Sequence, residues 1–394
     1  MKILIVRTYP DILNLNSYNV QEVGLAKALA LKGHPCDIVL YGGKQADHRE
    51  HFSFEENGKR YSYTIHWLKG FAFFKNGFMP SLNKLIDDYD IIQVHEYDQI
   101  QSSIIYKKCK KPVVIYHGPY YHPYAKGYNF KCRIFDMLFL HGKRYQNVPA
   151  LTKSIPAKEF LERKGFQNVK AVGVGLDEEK FRSTEKSDKL IPDAEEGTFR
   201  MLYVGKIEDR RNVYFLIDVL RRLRCKDFKI ELVIIGDGEE DYVRKFLHFI
   251  DKELLEGTVI YRKGGSQTQL PRVYQSADLF ILASNYDIFG MVLLEAMYFG
   301  LPVISSKNGG SLTLIEQGIN GYVMDEFEVD EWTAKIEKLT LDKSLYRSMS
   351  HMAEKTIKEK YLWGALAGRF IHTYQEAAGE SGKGYERSGD IDGI

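Results

Sequence analysis

The chain predicts an α/β fold of two Rossmann-like, doubly wound domains facing a central cleft, and three observations carry that expectation. At 394 residues it exceeds one ordinary domain and suits two of roughly 150–200 residues each. Short Val/Ile-rich runs alternate with longer amphipathic stretches, the pattern of parallel strands covered by helices on both faces. The alternation also occurs twice, with a charged stretch at 183–197 between the cycles.

The first cycle, 1–182, opens with a strand at 2–6, a helix at 17–32 and a strand at 37–41. Segments 52–54 and 61–68 flank Asn57-Gly58, a hairpin signal, because both residues accept positive φ. Strands recur at 91–95, 112–116, 148–151 and 169–172. The second cycle, 183–362, starts with 183–197 as a linker and places strands at 199–204, 230–235, 258–261, 278–282 and 302–305. Its helices fall near 213–223, 241–249, 267–275 and 290–299. After Asp325 the pattern is helical, and 363–378 forms a last helix. The Gly/Ser/charge-rich segment 379–394 reads as a disordered tail.

Composition narrows the function classes. Lys+Arg 55 against Asp+Glu 53 gives no general attraction to nucleic acid, and no nucleic-acid partner is expected. Cys36, Cys109, Cys132 and Cys225 show no metal-binding or redox spacing and read as reduced, buried thiols. The apolar run before Arg7 is too short for a signal peptide, and no run approaches the roughly 18 residues that cross a membrane. A cytoplasmic protein is expected, with peripheral contact at the inner face of a membrane left open.

The chemistry concentrates in 284–303, Ser-Asn-Tyr-Asp-Ile-Phe-Gly-Met-Val-Leu-Leu-Glu-Ala-Met-Tyr-Phe-Gly-Leu-Pro-Val. The segment follows a strand and opens a helix at Gly290, so the N–H groups of Phe289, Gly290 and Met291 are placed to receive an anion or a sugar hydroxyl. Gly290 admits close approach to the backbone. Asp287 precedes the helix, and Glu295 lies just over a turn inside it among apolar residues, where a buried carboxylate needs a partner such as a ribose diol. The spacing alone fits an N-cap at Asp287 and a solvated edge at Glu295 equally well. The loop containing Gly205, Lys206 and Arg211 brings two cations suited to a diphosphate. Gly236-Asp237-Gly238 ends the next strand, with Asp241 where a dinucleotide fingerprint would carry its third glycine.

Together these segments resemble glycosyltransferase family 4, the retaining enzymes of GT-B fold, over nearly the whole chain. The strongest match is an acid, seven residues, then Glu, set within Phe-Gly…Leu-Glu-Ala-Met…Gly-Leu-Pro-Val. Supporting matches are Gly205-Lys206…Arg211-Asn212, Gly236-Asp237-Gly238, Gly309-Gly310, Asn320-Gly321, Lys32-Gly33-His34 and Gly173…Gly175-Leu176-Asp177. By that resemblance Asp287 bonds a donor-sugar hydroxyl, Glu295 the ribose, and Lys206 and Arg211 the diphosphate. Phe289 to Met291 help bind the sugar, and His117 matches the histidine near the reacting sugar. The resemblance also implies that 1–182 binds the acceptor, that 183–362 binds the nucleotide sugar, and that the last helix packs back on the first domain.

Three positions depart from the family. Asp287 stands where Glu is usual, one methylene shorter. The Gly-rich first loop is replaced by Asn-Leu-Asn-Ser-Tyr-Asn at 14–19, leaving Ser17 as the phosphate contact. Thr313 replaces an acid after Gly309-Gly310. The resemblance implies transfer from a nucleotide-sugar donor, UDP favoured, to a glycan or glycolipid hydroxyl, with no metal and no cofactor. The Asp-x-Asp pairs at Asp88/Asp90 and Asp390/Asp392 fall at a strand entrance and in the tail, away from this constellation. A nucleotide-sugar epimerase, which would isomerise donor without acceptor, and a binding protein with a decayed site, which would bind donor without turnover, remain as alternatives. The aromatic and basic clusters 67–75 and 116–124 fit sugar stacking, a membrane surface or plain packing.

Overall fold

Two parallel sheets, one in each half of the chain, organise the structure, a computed structural model that describes residues 1–15, 19–181, 189–226, 228–253, 255, 257–264 and 269–379. The first half contains β1 (Ile3–Val6), β2 (Cys36–Tyr41), β3 (His48–Glu56), β4 (Lys59–Leu68), β5 (Phe71–Phe73), β6 (Asn76–Phe78), β7 (Ile91–His95), β8 (Val113–His117), β9 (Ala150–Thr152) and β10 (Val169–Ala171). Its helices are α1 (Gln21–Leu31), α2 (Asn83–Ile86), α3 (Ile100–Lys108), α4 (Lys126–Phe139) and α5 (Ile155–Arg163). The strands stand in the order β10-β9-β8-β7-β1-β2-β4-β3, parallel except for the antiparallel β3–β4 hairpin at the edge. Every residue of β1, Ile-Leu-Ile-Val, is buried, as a strand with helices on both faces requires.

The second half contains β11 (Phe199–Val204), β12 (Ile230–Ile235), β13 (Val259–Arg262), β14 (Leu279–Leu282), β15 (Val303–Ser306) and β16 (Gly321–Met324). Around them lie α6 (Val213–Arg224), α7 (Glu240–Lys252), α8 (Leu270–Gln275), α9 (Met291–Tyr298), α10 (Ser311–Leu314), α11 (Val329–Leu341), α12 (Lys343–Lys360) and α13 (Trp363–Ala377). The strand order β13-β12-β11-β14-β15-β16 is all parallel. Counting from β11 it is the 3-2-1-4-5-6 order of a doubly wound nucleotide fold, whose ligand crevice opens between the first and fourth strands at their carboxyl ends. The loops after β11 and β14, which hold Lys206, Arg211 and Asp287, flank that crevice.

Helix α13 returns to the first sheet. The Trp363 indole lies so close to Gly24 of α1 and to Gly175 that a Cβ on either would fall 2.2 Å from it. Phe370 packs edge-on against Tyr116 of β8, and the Tyr374 hydroxyl donates to Gln93 Oε1 at 2.6 Å. One apolar cluster therefore runs from Ile3 and Leu25 through Trp363 and Phe370 into the second sheet, and another fills the opposite face of the first sheet.

Several elements differ from their sequence reading. Helix α1 starts at Gln21 and not at 17, and Ser17 lies outside the described residues, as do 183–188 of the expected linker, 267 and 268 of an expected helix, and 380–394 of the expected tail. Strand β3 extends to nine residues because its exposed polar positions pair along β4. Sequence reading passed over β16 and the β5–β6 hairpin, since each spans only a few residues with no sustained period. The four cysteines are free, but Cys225 is exposed and Cys109 half-buried, because both sit at helix C-termini.

Candidate active site

Chain ends of parallel strands converge by topology. Gly205 and Lys206 follow β11, Gly236 follows β12, Asp287 follows β14 and the Asn308–Gly310 turn follows β15. Two close backbone approaches fix these loops. A Cβ on Gly236 would lie 1.7 Å from the Gly205 carbonyl oxygen, and one on Gly310 would lie 1.8 Å from that of Phe289. Only glycine permits either contact. Gly290 adopts φ 70° as the N-cap of α9, so that helix begins at Met291, one residue later than expected.

Asp287 is 7% exposed and held by cations. Arg211 Nη1 donates to its Oδ2, and Arg210 Nη1 lies 3.5 Å from Oδ1. Its carbonyl accepts the Gly309 N–H and the Tyr120 hydroxyl, both at 2.9 Å. It is therefore one pole of an ion pair and not a helix cap. Arg211 Nη1 also reaches Ser284 Oγ at 3.3 Å, while its buried Nε has no hydrogen-bond acceptor among the described residues. The Lys206 side chain is exposed and makes no ion pair among the described residues. Glu295 is 2% exposed, which removes the solvated-edge alternative, and its Oε2 accepts the Tyr274 hydroxyl at 2.7 Å.

The first domain supplies a second cluster from three adjacent strand ends. Glu96 follows β7, His117 closes β8 and Lys153 follows β9. His117 is fully buried, stacked on Phe160 and edge-on to Tyr97. Its Nδ1 lies 2.5 Å from Glu96 Oε2 without hydrogen-bond alignment, and Nε2 has no partner among the described residues. Burial pushes the Glu96 carboxyl up, yet His117, Lys153 and the Gly118 N–H outweigh it and hold the group at about 2. Glu96 sits at φ 61°, a left-handed backbone that costs about 1 kcal/mol and aims its carboxylate at these partners. Burial likewise raises the Glu22 carboxyl, and His95 and Arg7 bring it down to about 2. His95 thus faces Glu22 beside the β1 loop.

Ligand atoms of Glu96, Asp98 and His117 lie within 4.8 Å of one another, a spacing that suits a metal ion. Lys153 and Lys131 already neutralise the two carboxylates, at 3.7 and 2.9 Å, so the donor set does not favour a dication.

The two clusters meet across the cleft. Gly118 lies between Lys153 and Ile288, where a Cβ would fall 2.7 Å from Lys153 Cδ and 3.0 Å from Ile288 Cγ2. His122 stacks on Tyr286 with ring centroids 5.0 Å apart, and Ile155 N–H donates to Thr313 Oγ1 at 3.0 Å. From the first loop Asn19 Nδ2 reaches Met291 Sδ at 3.6 Å, next to the α9 N-terminus. Phe289 is buried against Tyr361. Of the residues singled out from sequence, Arg211, Asp287, Phe289 to Met291, Gly205 and Gly236 border one crevice, with His117 on the opposing wall. Sequence reasoning gave no site role to Lys153, Arg210 or Tyr274 and took Tyr120 only as part of the aromatic cluster 116–124. Tyr120, Lys153 and Arg210 each stand shortly after a predicted strand, which was the available signal, whereas Tyr274 lies on a helix and had none.

This architecture is the GT-B fold, two Rossmann-like domains facing a cleft. Residues 161–356, about half of the chain and all of the second-domain loops just described, match the family model described as glycosyl transferases group 1. An uncharacterized glycosyltransferase of Methanocaldococcus jannaschii is 23% identical over 389 residues, covering 90% of this chain and 93% of that protein. The lipopolysaccharide 1,2-N-acetylglucosaminetransferase of Salmonella typhimurium is 32% identical over 186 residues, 45% of this chain and 48% of its own length. Among solved structures, Anabaena HepE in complex with UDP superposes with a TM-score of 0.66 over 95% of this chain and all of its own, at 16% identity. The family match and the relatives support a nucleotide-sugar glycosyltransferase of the GT-B superfamily. No helix among the described residues is long and apolar enough to cross a membrane.

Proposed function

We propose that the chain is a retaining, family 4 hexosyltransferase that moves a sugar from a UDP-sugar to a glycan or glycolipid hydroxyl without a metal ion. The observation that carries this reading is the convergence at the crevice of Arg211, Asp287 and Lys206, which makes no ion pair among the described residues, with His117 on the facing wall. The Arg211 Nε without an acceptor, together with Lys206, is a ready receptor for diphosphate oxygens. When the donor enters, Arg211 shifts its bonds from Asp287 to the diphosphate, and Asp287 turns to a sugar hydroxyl. Glu295 holds the ribose while Tyr274 fixes one of its oxygens. Glu96 keeps the His117 ring in place, so that Nε2 faces the sugar.

The anomeric carbon then loses its bond to the diphosphate oxygen and gains one to the acceptor oxygen on the same face. The acceptor proton passes to the departing diphosphate, whose charge Lys206 and Arg211 stabilise. Such preorganised stabilisation is commonly the largest catalytic term. The UDP preference draws on HepE, which was crystallised with UDP. A thermal-shift panel of UDP-, GDP- and ADP-sugars tests the donor, because a ligand that binds only the folded state raises Tm. The reading expects the largest shift with a UDP-sugar and sugar transfer in the presence of an acceptor. Isomerised donor without acceptor would instead indicate an epimerase, and binding without any turnover a decayed site.

A further inference from the structure

Two exposed apolar elements of the first domain stand outside the site. The β5–β6 hairpin turns at Phe74-Lys75, both with positive φ, 44° and 59°. A two-residue turn of this kind is ordinarily Asn-Gly, and each side chain forced into it costs about 1 kcal/mol. Yet the tip holds Phe74 at 80% exposure beside an exposed Phe73, so the strain displays an aromatic ring to solvent and does not bury one. The second element is α4. Its inner face buries Cys132 and Phe135, and its outer face carries Phe130 at 68% and Met137 at 65% exposure, with Ile134 and Leu138 beside them. A helix apolar on both faces at a protein surface implies contact with a second phase or molecule.

These elements adjoin. With its amide so oriented, Gln99 accepts from Lys131 Nζ of α4 at 2.9 Å and donates to the Lys75 carbonyl of the hairpin at 3.2 Å. Their charge has one sign. Residues 126–144 hold five Lys/Arg, of which Lys131 pairs with the buried Asp98, leaving Lys126, Arg133, Lys143 and Arg144 against a single acid, Asp136, which Lys164 already pairs. Protruding aromatics and a convex apolar helix ringed by cations fit the headgroup boundary of an anionic bilayer.

We propose that the hairpin tip and the outer face of α4 dock the protein on an anionic lipid bilayer. The placement suits a membrane-embedded substrate. The chain that enters α4 is the same 118–125 segment whose Tyr120 touches Asp287. Between Tyr120, Tyr121, Phe160, Lys164 and Lys307 lies a cleft of about 400 Å³, walled by α5 on one side and by Lys307, Asn308 and Leu312 of the second domain on the other. Docking is separate from donor chemistry, and its test does not depend on which sugar is moved.

The test is vesicle flotation of the full chain with phosphatidylcholine alone and with added phosphatidylglycerol. The double variants are Phe74→Ser with Met137→Ser, and Lys126→Glu with Arg133→Glu. The expected result is co-flotation with anionic vesicles that weakens as salt rises and falls about tenfold or more in either variant. Tm and donor-induced thermal shift stay at the wild-type level, which separates a docking defect from misfolding or a wrong donor. The proposal is overturned if the chain ignores anionic vesicles, floats equally with neutral ones, or binds undiminished in both variants. A concentration-dependent dimer dissolved by the same substitutions would also overturn it, assigning the patch to a second copy.

Discussion

Replacing Glu96 by Gln keeps the side chain's size and removes its charge from the His117–Lys153 pocket. A carboxyl held at about 2 against an ordinary value of 4.5 contributes roughly 3 kcal/mol to folding at neutral pH. The side chain is 15% exposed, so solvent screening takes only a modest share of that figure. The sign follows from the depressed value: the contribution is complete above the unfolded-state value of 4.5 and is lost as pH falls toward 2. By pH 3 about 2 kcal/mol of it should be gone, leaving roughly 1 kcal/mol. Urea unfolding of wild type and Glu96→Gln at pH 7, 5, 4 and 3 measures the difference directly. A stability gap that narrows across this window is expected, with a lower kcat at pH 7 because the imidazole loses its anchor. A gap that stays constant with pH, or one under about 1 kcal/mol at pH 7, would refute the reasoning.

Lys206→Ala and Arg211→Ala should each lower kcat by roughly 100-fold or more with little change in acceptor KM, as expected for lost transition-state charge stabilisation. Steady-state kinetics with a fixed donor decides this, and unchanged turnover in either variant removes that residue from the reaction. Glu295→Ala should abolish most of the thermal shift produced by the nucleotide sugar, since the proposed ribose contact goes and the Tyr274 hydroxyl loses its carboxylate acceptor. Gly236→Ala drives a methyl into the Gly205 carbonyl and should cost about 3 kcal/mol or more, a fall in Tm of roughly 10 °C by calorimetry.

Much of the site was legible in the sequence because its parts hang on strand ends. Apolar runs such as Ile230–Ile235 announce buried parallel strands, and whatever follows them stands at the cleft. That rule places Lys206, Arg211, Asp287 and His117 at strand ends. It does not show that Arg211 closes on Asp287, since a separation of 76 positions leaves no local trace of the pairing. The Tyr274 hydroxyl on Glu295 likewise comes from a different helix, 21 residues away. Glu96 directly follows the predicted strand 91–95, and nothing local marks it as a partner of His117. Its role in holding His117 depends on a left-handed backbone that no periodicity reveals.

Exposure was also undecided by composition. The aromatic clusters at 67–75 and 116–124 contain rings of both fates: Trp67, Tyr116 and Tyr120 are buried, while Phe71, Phe73, Phe74 and Tyr124 face solvent. Sequence alone therefore determined the two-sheet α/β layout and the loops that carry charge, because strand and helix periods and the glycine turns are local properties of the chain. Tertiary structure decided which cation meets which carboxylate, which histidine is anchored, and which aromatics are left outside, because those outcomes depend on how distant strand ends and a returning final helix pack together.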